Sequence, residues 1–204
     1  MRKAGTIILL FFAGFPVLLA AQAGNDDPWG NPDWDQYYDD FSRGDQTFII
    51  SLGTIFPAFF RNDGESIEHK FSPPVGGTGS LAYNYYFNSN IFIGGEAGGM
   101  FLPTLGGNTL YVIPLGFRAG YQFNYWKFEF PVTAVAGVTW YRYLSMGNFG
   151  FYFKAGAAGF YRVSPNWSFG ANTDWYFFPQ WTGDKSENVQ GNMIDFTLSA
   201  RYHF

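Results

Sequence analysis

Histidine occurs twice in the 204-residue chain, at His69 and His203, and cysteine is absent, so nucleophilic and thiolate chemistry have few places to reside. His69 stands near Asp63, Glu65, Ser66 and Glu68, a set from which a serine, a base and an acid can be drawn. Nothing in their spacing singles out a triad, and the expected reading is a solvated loop without catalytic activity. Asp33-Trp-Asp35 lacks the downstream glycine and the final glutamate of a calcium loop. Gly76 to Gly79 and Gly94 to Gly99 are glycine-rich but have no phosphate-loop lysine and open no helix. Asn166-Trp-Ser168 fits a glycosylation acceptor, but reads as turn chemistry. No metal, cofactor or catalytic residue is expected.

Charge is scarce, at 14% of residues, and seven charged side chains stand out by position: Glu96, Arg118, Glu129, Lys154, Asp174, Asp195 and Arg201. Each takes the polar phase of a segment in which apolar side chains recur at every second residue, the pattern of a β-strand with one apolar and one polar face. Eight such segments run at 47–59, 78–87, 91–102, 110–123, 127–142, 150–163, 167–178 and 192–204. Tight connections at 88–90, 124–126 and 164–166 alternate with longer ones near 60–77, 103–109, 143–149 and 179–191. An even number of strands joined by alternately short and long connections predicts an all-β, eight-stranded antiparallel transmembrane β-barrel, an up-and-down meander with both termini periplasmic.

Parity assigns the faces. Leu81, Tyr83, Tyr85 and Phe87 oppose Ser80, Ala82, Asn84 and Tyr86, and Ile113, Leu115, Phe117 and Ala119 oppose Pro114, Gly116, Arg118 and Gly120. The first set of each pair is expected to meet lipid. The first segment is less regular, because outward Phe48, Ile50 and Leu52 leave Ile49 and Ile55 facing the lumen. A soluble barrel of reversed parity would have an exterior very poor in Lys and Glu. Heights counted from the tight turns put Glu96 and Arg118 together with Glu129 a little lower, and bring Lys154, Asp174 and Asp195 toward one another. Side chains just fill an eight-stranded barrel, so paired charges are expected to plug it; a charge-lined conduction route is the alternative.

Residues 1–23 read as a secretory signal peptide: Arg2 and Lys3, an apolar run from Ile7 to Ala21, then Ala21-Gln22-Ala23, a small-x-small cleavage pattern. Residues 24–45 form an acidic, aromatic-bearing segment, with seven aspartates against Arg43. It is expected to be a periplasmic leader, whose aromatics tuck into the barrel mouth in a sharper reading. Residues 46–204 are the barrel. The 12 basic residues fall to 10 without Arg2 and Lys3, against 16 acidic ones, so nucleic acid is an unexpected partner. Aromatic content of 23% with a mean hydropathy of -0.09 fits an apolar surface concealed by alternation.

The last strand, Phe196, Leu198, Ala200, Tyr202 and Phe204 against Thr197, Ser199, Arg201 and His203, ends on an aromatic. It resembles the C-terminal assembly signal of outer-membrane β-barrels. With the architecture, it makes the chain similar to the small eight-stranded group of OmpX, OmpA-domain and OmpW-like barrels. That resemblance implies a cell outer membrane location, contact with outer-membrane lipid, and recognition by the barrel-assembly machinery and periplasmic chaperones. It also implies a structural or surface-interacting role, with an extracellular or host ligand at the loops. The alternative is an OmpW-like channel for small, hydrophobic solutes, with Pro114 or Pro131 as a wall break.

Overall fold

The computed structural model describes residues 41–62, 65–67, 71, 73–104, 107–143, 146–179 and 189–204. Its strands are β1 (Gln46–Asn62), β2 (Glu65–Ile67), β3 (Gly76–Tyr86), β4 (Ile91–Pro103), β5 (Thr109–Tyr125), β6 (Phe128–Tyr143), β7 (Met146–Ser164), β8 (Trp167–Pro179) and β9 (Val189–His203). From β3 to β9 each strand pairs antiparallel with the next, and β1 pairs with both β3 and β9. Closure runs from Thr47↔His203 to Asn62↔Val189, and Phe204 N donates to Gln46 O at 3.0 Å. The product is an eight-stranded up-and-down barrel in which β2 is an accessory, pairing only with Phe60 to Asn62 of β1. A closed ring leaves no long strand edge unpaired, a requirement in a lipid solvent that supplies no hydrogen bonds.

Strand bounds differ from the sequence expectation chiefly at strand ends. The connection expected at 124–126 is Trp126-Lys127, since Tyr125 pairs with Phe128, and Trp126 takes φ 53 to complete the two-residue turn. The long connection expected at 143–149 is largely ladder, because Trp140↔Phe149 and Tyr141↔Asn148 extend pairing up to Tyr143↔Met146. The first long connection contains β2. At the short turn between β3 and β4, Asn88 Oδ1 accepts the Asn90 and Ile91 amides at 2.9 and 2.7 Å, an Asx turn.

Burial follows the alternation. In β6, Phe128, Phe130, Val132, Ala134, Ala136 and Val138 are exposed while Glu129, Pro131, Thr133, Val135 and Thr139 are buried. Phe117 is 85% and Leu198 61% exposed, against 7% for Arg118 and 0% for Arg201. The outer face is apolar and the buried charges all lie inside, the inverse of a soluble ligand-binding barrel. Ile49 and Ile55 are luminal, as the first strand's parity requires. Two prolines interrupt the wall. The β4–β5 ladder passes from Ala97↔Leu115 to Met100↔Val112, skipping the level of Pro114. The β6–β7 ladder passes from Glu129↔Phe160 to Val132↔Ala157, skipping that of Pro131. Proline has no N–H to give a ladder.

Candidate functional site

The lumen is stacked in layers that rise from the end bearing the short turns and the C-terminus to the end bearing the long loops. At the turn end, Glu129 on β6 receives Arg201 Nη1 of β9 at 2.9 Å and Arg162 Nη2 of β7 at 2.5 Å. Arg201 Nη1 also donates to Gln122 Oε1 of β5 at 3.0 Å, which in turn accepts the Tyr86 hydroxyl of β3 at 2.7 Å. The Arg201 guanidinium lies 3.9 Å from the Phe160 ring centroid, so carbon meets it on one side while Nη1 meets oxygen. Charge on a fully buried guanidinium is tolerated only with such partners.

Phe41, just ahead of β1, closes this layer from below. It is 4% exposed, stacks on Tyr86 at 4.0 Å and 12°, and lies 5.1 Å from the Arg162 guanidinium and 5.4 Å from the His203 ring. The sharper reading of the acidic segment had its aromatics tuck into the barrel mouth, and Phe41 sits there. Trp29, Trp34, Tyr37 and Tyr38 lie outside the described residues, as does the signal-peptide assignment of residues 1–23.

Above is a layer of short polar groups. Ser51 and Ser199 share a hydrogen bond of 2.6 Å, Asn172 Nδ2 donates to Ser199 Oγ at 2.9 Å, and Asn84 Nδ2 donates to Thr47 Oγ1 at 3.1 Å. The next layer holds the second charge cluster. Glu96 of β4 pairs with Arg118 Nη1 of β5 at 2.6 Å and with Lys154 of β7, and Lys154 reaches Asp174 of β8 at 3.2 Å. Asp195 of β9 accepts the Asp174 amide at 3.1 Å and the Tyr176 hydroxyl at 3.2 Å. Gly116 and Gly156 leave room for this crowding: a Cβ on Gly116 would lie 2.6 Å from the Tyr152 hydroxyl, and one on Gly156 would overlap the Asp174 carboxylate.

All seven charged residues singled out in the sequence therefore face the lumen, but their grouping differs. Glu96 and Arg118 meet as expected, whereas Glu129 pairs with Arg201 and Arg162 instead. Register explains the regrouping: Arg118 stands opposite Val135 and Glu129 opposite Asn124, six residues nearer the turn. Val135 stands opposite Lys154, so Lys154 and Arg118 share a level and divide Glu96. Arg162 has Lys154's parity and was equally readable from the sequence. The loop-end lumen is apolar, with a cavity of about 80 Å³ lined by Phe60, Leu110, Val112, Tyr141, Phe178 and Met193 among others.

One constellation does resemble catalytic machinery. Ser168 Oγ lies 2.7 Å from His203 Nε2, a nucleophile and base in contact. His203 Nδ1 faces Arg162 Nη2 at 3.4 Å where a triad has a carboxylate. Glu129 stands on the Nε2 side instead, at 3.9 Å, and Ser168 is fully buried. His69 and the acids near it fall outside the residues whose side chains are described. The C-terminal aromatics point outward, with Phe196 56% and Phe204 68% exposed, and Tyr202 packs between Trp167 at 5.0 Å and Phe204 at 4.9 Å.

Comparison with known proteins places the chain. An uncharacterized protein of Treponema pallidum (strain Nichols) is 29% identical over 131 residues, 63% of this chain and 59% of the relative, so the match spans less than two thirds of that relative's length. The crystal structure of Neisserial surface protein A superposes with a TM-score of 0.59 at 11% identity, covering 79% of this chain and 97% of that one. Ail, the attachment invasion locus protein of Yersinia pestis, superposes at a TM-score of 0.49 and 16% identity over 79% of this chain and 99% of its own. A protein-family model matches residues 30–202, which takes in all of β1 to β8 and β9 but for its last residue; the chain belongs to that family, and its fold is that of the small eight-stranded outer-membrane β-barrels.

Proposed function

We propose that this protein is an integral barrel of the cell outer membrane whose lumen is closed by its own side chains, and that it works as a structural or surface-interacting element rather than as an open pore or an enzyme. One observation carries the reading: two buried ion clusters cross the interior at different heights, Glu129 with Arg162 and Arg201, and Glu96 with Arg118, Lys154 and Asp174. A passing ion would have to separate pairs whose members would then be buried without counter-charge or hydrogen bonds, and leaving one buried charge uncompensated costs roughly 3–5 kcal/mol. The non-enzymatic part rests on the Ser168 and His203 pair. An imidazolium formed there would have a guanidinium, not a carboxylate, on Nδ1, and Phe41 lies over the ring.

In this reading the termini and short turns face the periplasm, and the loops following β1 and β8 meet an extracellular or host ligand. The outward Phe196, Leu198, Ala200, Tyr202 and Phe204 serve lipid contact and recognition by the assembly machinery and chaperones. Purified protein in a planar bilayer should show little steady conductance, and Arg118→Ala should raise current or lower stability. Large, stable, ion-selective openings in the unaltered protein would overturn the closed reading.

A second reading has one specific support. The β4–β5 ladder lapses beside Pro114, where the luminal side is Met100 and Val112 of the apolar loop-end cluster. A small hydrophobic solute entering that end would meet carbon walls and a weakened seam toward lipid. Uptake of such a solute by proteoliposomes, lost when Gly98 and Gly99 are replaced by valine, would favour passage over closure.

A further inference from the structure

The charges of the loop-end cluster do not balance. Among the described residues three buried carboxylates, Glu96, Asp174 and Asp195, at 4%, 6% and 2% exposure, share two cations, Arg118 and Lys154. Arg118 is committed to Glu96, and Lys154 divides between Glu96 and Asp174. No cation of the described residues lies within ion-pairing reach of Asp195, which faces Asp174 directly across the β8–β9 ladder. Two carboxylates held opposite each other in a poorly solvated interior repel strongly. Within this cluster one positive charge is lacking, and the two guanidinium groups of the turn-end layer are committed to Glu129.

Two further oxygens lie on the next inward-facing rung, two residues along each strand toward the turn end, where Asn172 stands opposite Thr197. Thr197 Oγ1, on a residue 6% exposed, and Asn172 Oδ1 have no hydrogen-bond partner. The Asn172 amide nitrogen is committed toward the turn end, to Ser199 at 2.9 Å and Ser51 at 3.4 Å, while its carbonyl oxygen is left without a partner. A carbonyl oxygen can only accept. A proton shared by the acids would leave it unsatisfied, whereas a hard metal cation is bound by oxygens of all three kinds present, carboxylate, carbonyl and hydroxyl. The charge deficit selects a monovalent ion, since Lys154 already supplies one charge here and no three acid or imidazole side chains among the described residues converge on a metal position.

We propose that Asp174, Asp195, Asn172 and Thr197 bind one alkali cation, of the sodium class, between β8 and β9 inside the barrel. The ion completes the neutralisation of the upper cluster and ties β8 to β9 through side chains as well as backbone. The groups facing the site are Glu96 from β4, Arg118 from β5, Lys154 and Tyr152 from β7, and Tyr176 from β8.

The test uses the full-length barrel folded in detergent, with its thermal unfolding midpoint followed by circular dichroism. Sodium chloride is titrated against N-methylglucamine chloride at fixed ionic strength and pH, and sodium binding is read independently from ²³Na line broadening. The midpoint should rise with sodium to a plateau and be unmoved by the organic cation. Asp195→Asn, which keeps shape and removes the excess charge, should fold and lose both the sodium response and the broadening. Thr197→Val should raise the half-saturating sodium concentration by about tenfold, the equivalent of one lost oxygen contact, and decides the matter should Asp195→Asn not fold. Equal responses to both cations, a sodium response surviving in Asp195→Asn, or a sodium-insensitive protein whose stability falls only as pH rises would each overturn the proposal, the last because a proton would then supply the charge.

Discussion

Glu129 near the turn end and Asp195 nearer the loop end are both buried carboxylates, 3% and 2% exposed, on different levels of one lumen. Their surroundings are opposite. Glu129 receives two guanidinium groups and lies within 3.3 Å of the Ser168 hydroxyl, so its charge is what keeps Arg162 and Arg201 inside. Asp195 receives a tyrosine hydroxyl and a backbone amide and faces another carboxylate, so its charge is an excess. The contrast teaches that burial alone does not say whether an ionised group stabilises a barrel; the balance within its layer does.

The largest effect should come from the turn-end layer, where one carboxylate holds two guanidinium groups. Glu129→Gln leaves two guanidinium groups without a counter-charge, and removing one partner of a buried pair costs about 3–5 kcal/mol. Asp195→Asn removes a repulsion and should cost far less, or stabilise the fold in sodium-free medium. Urea unfolding in lipid vesicles measures both. Equal losses in the two variants would dissolve the distinction between the layers.

A second comparison sets lumen against lipid in a single strand. Ala134 and Thr133 are adjacent on β6, one exposed on the outer face and the other 6% exposed inside. Arginine at a midplane lipid-facing position of a barrel costs about 2–4 kcal/mol, so Ala134→Arg should lose that much stability in vesicles. Thr133→Arg should instead depend on space and on the charges of the layers above and below it. Spin labels at the two sites should differ in the same sense, with the label at 134 more accessible to oxygen dissolved in lipid. The reverse order would contradict the facing of β6.

Strand number, order and facing were legible in the sequence because a wall one residue thick between an apolar outer face and an inner face of different character imposes a period of two on every strand. Boundaries were less legible where pairing continues past the alternating zone, as in the Tyr125 and Phe128 turn and the β6–β7 extension to Met146. The luminal charges were legible by parity, and so was Arg162. Their partners were not, because partnership depends on strand stagger: counting from the turns brings Glu129 near Arg118, while the ladder puts Val135 there. The Ser168 and His203 contact was hidden for a related reason, since it joins neighbouring strands through side chains whose sequence positions are far apart. Phe41 lies ahead of the first strand, where no alternation reports on direction.

Phe41 also offers the smallest and most local way to test the difference between the layers. Its ring stacks on Tyr86 and packs beside His203 and Arg162, all at the turn end. An aromatic pair contributes about 0.5–1.5 kcal/mol beyond its buried area, so Phe41→Ala should lower the unfolding midpoint modestly while leaving the barrel closed through β1 and β9. The sharper readout is His203, whose ring should become reactive toward diethylpyrocarbonate in the variant and stay protected in the parent. If the layers are energetically separate, changes more than about 7–10 Å apart with no shared partners add, so Phe41→Ala combined with Asp195→Asn should give the sum of the single effects. Phe41→Ala with Glu129→Gln should fall short of that sum, because Arg162 touches both residues. Additivity in both double variants would mean that the ring is a lid resting on the turn-end cluster and contributes nothing to holding its charges.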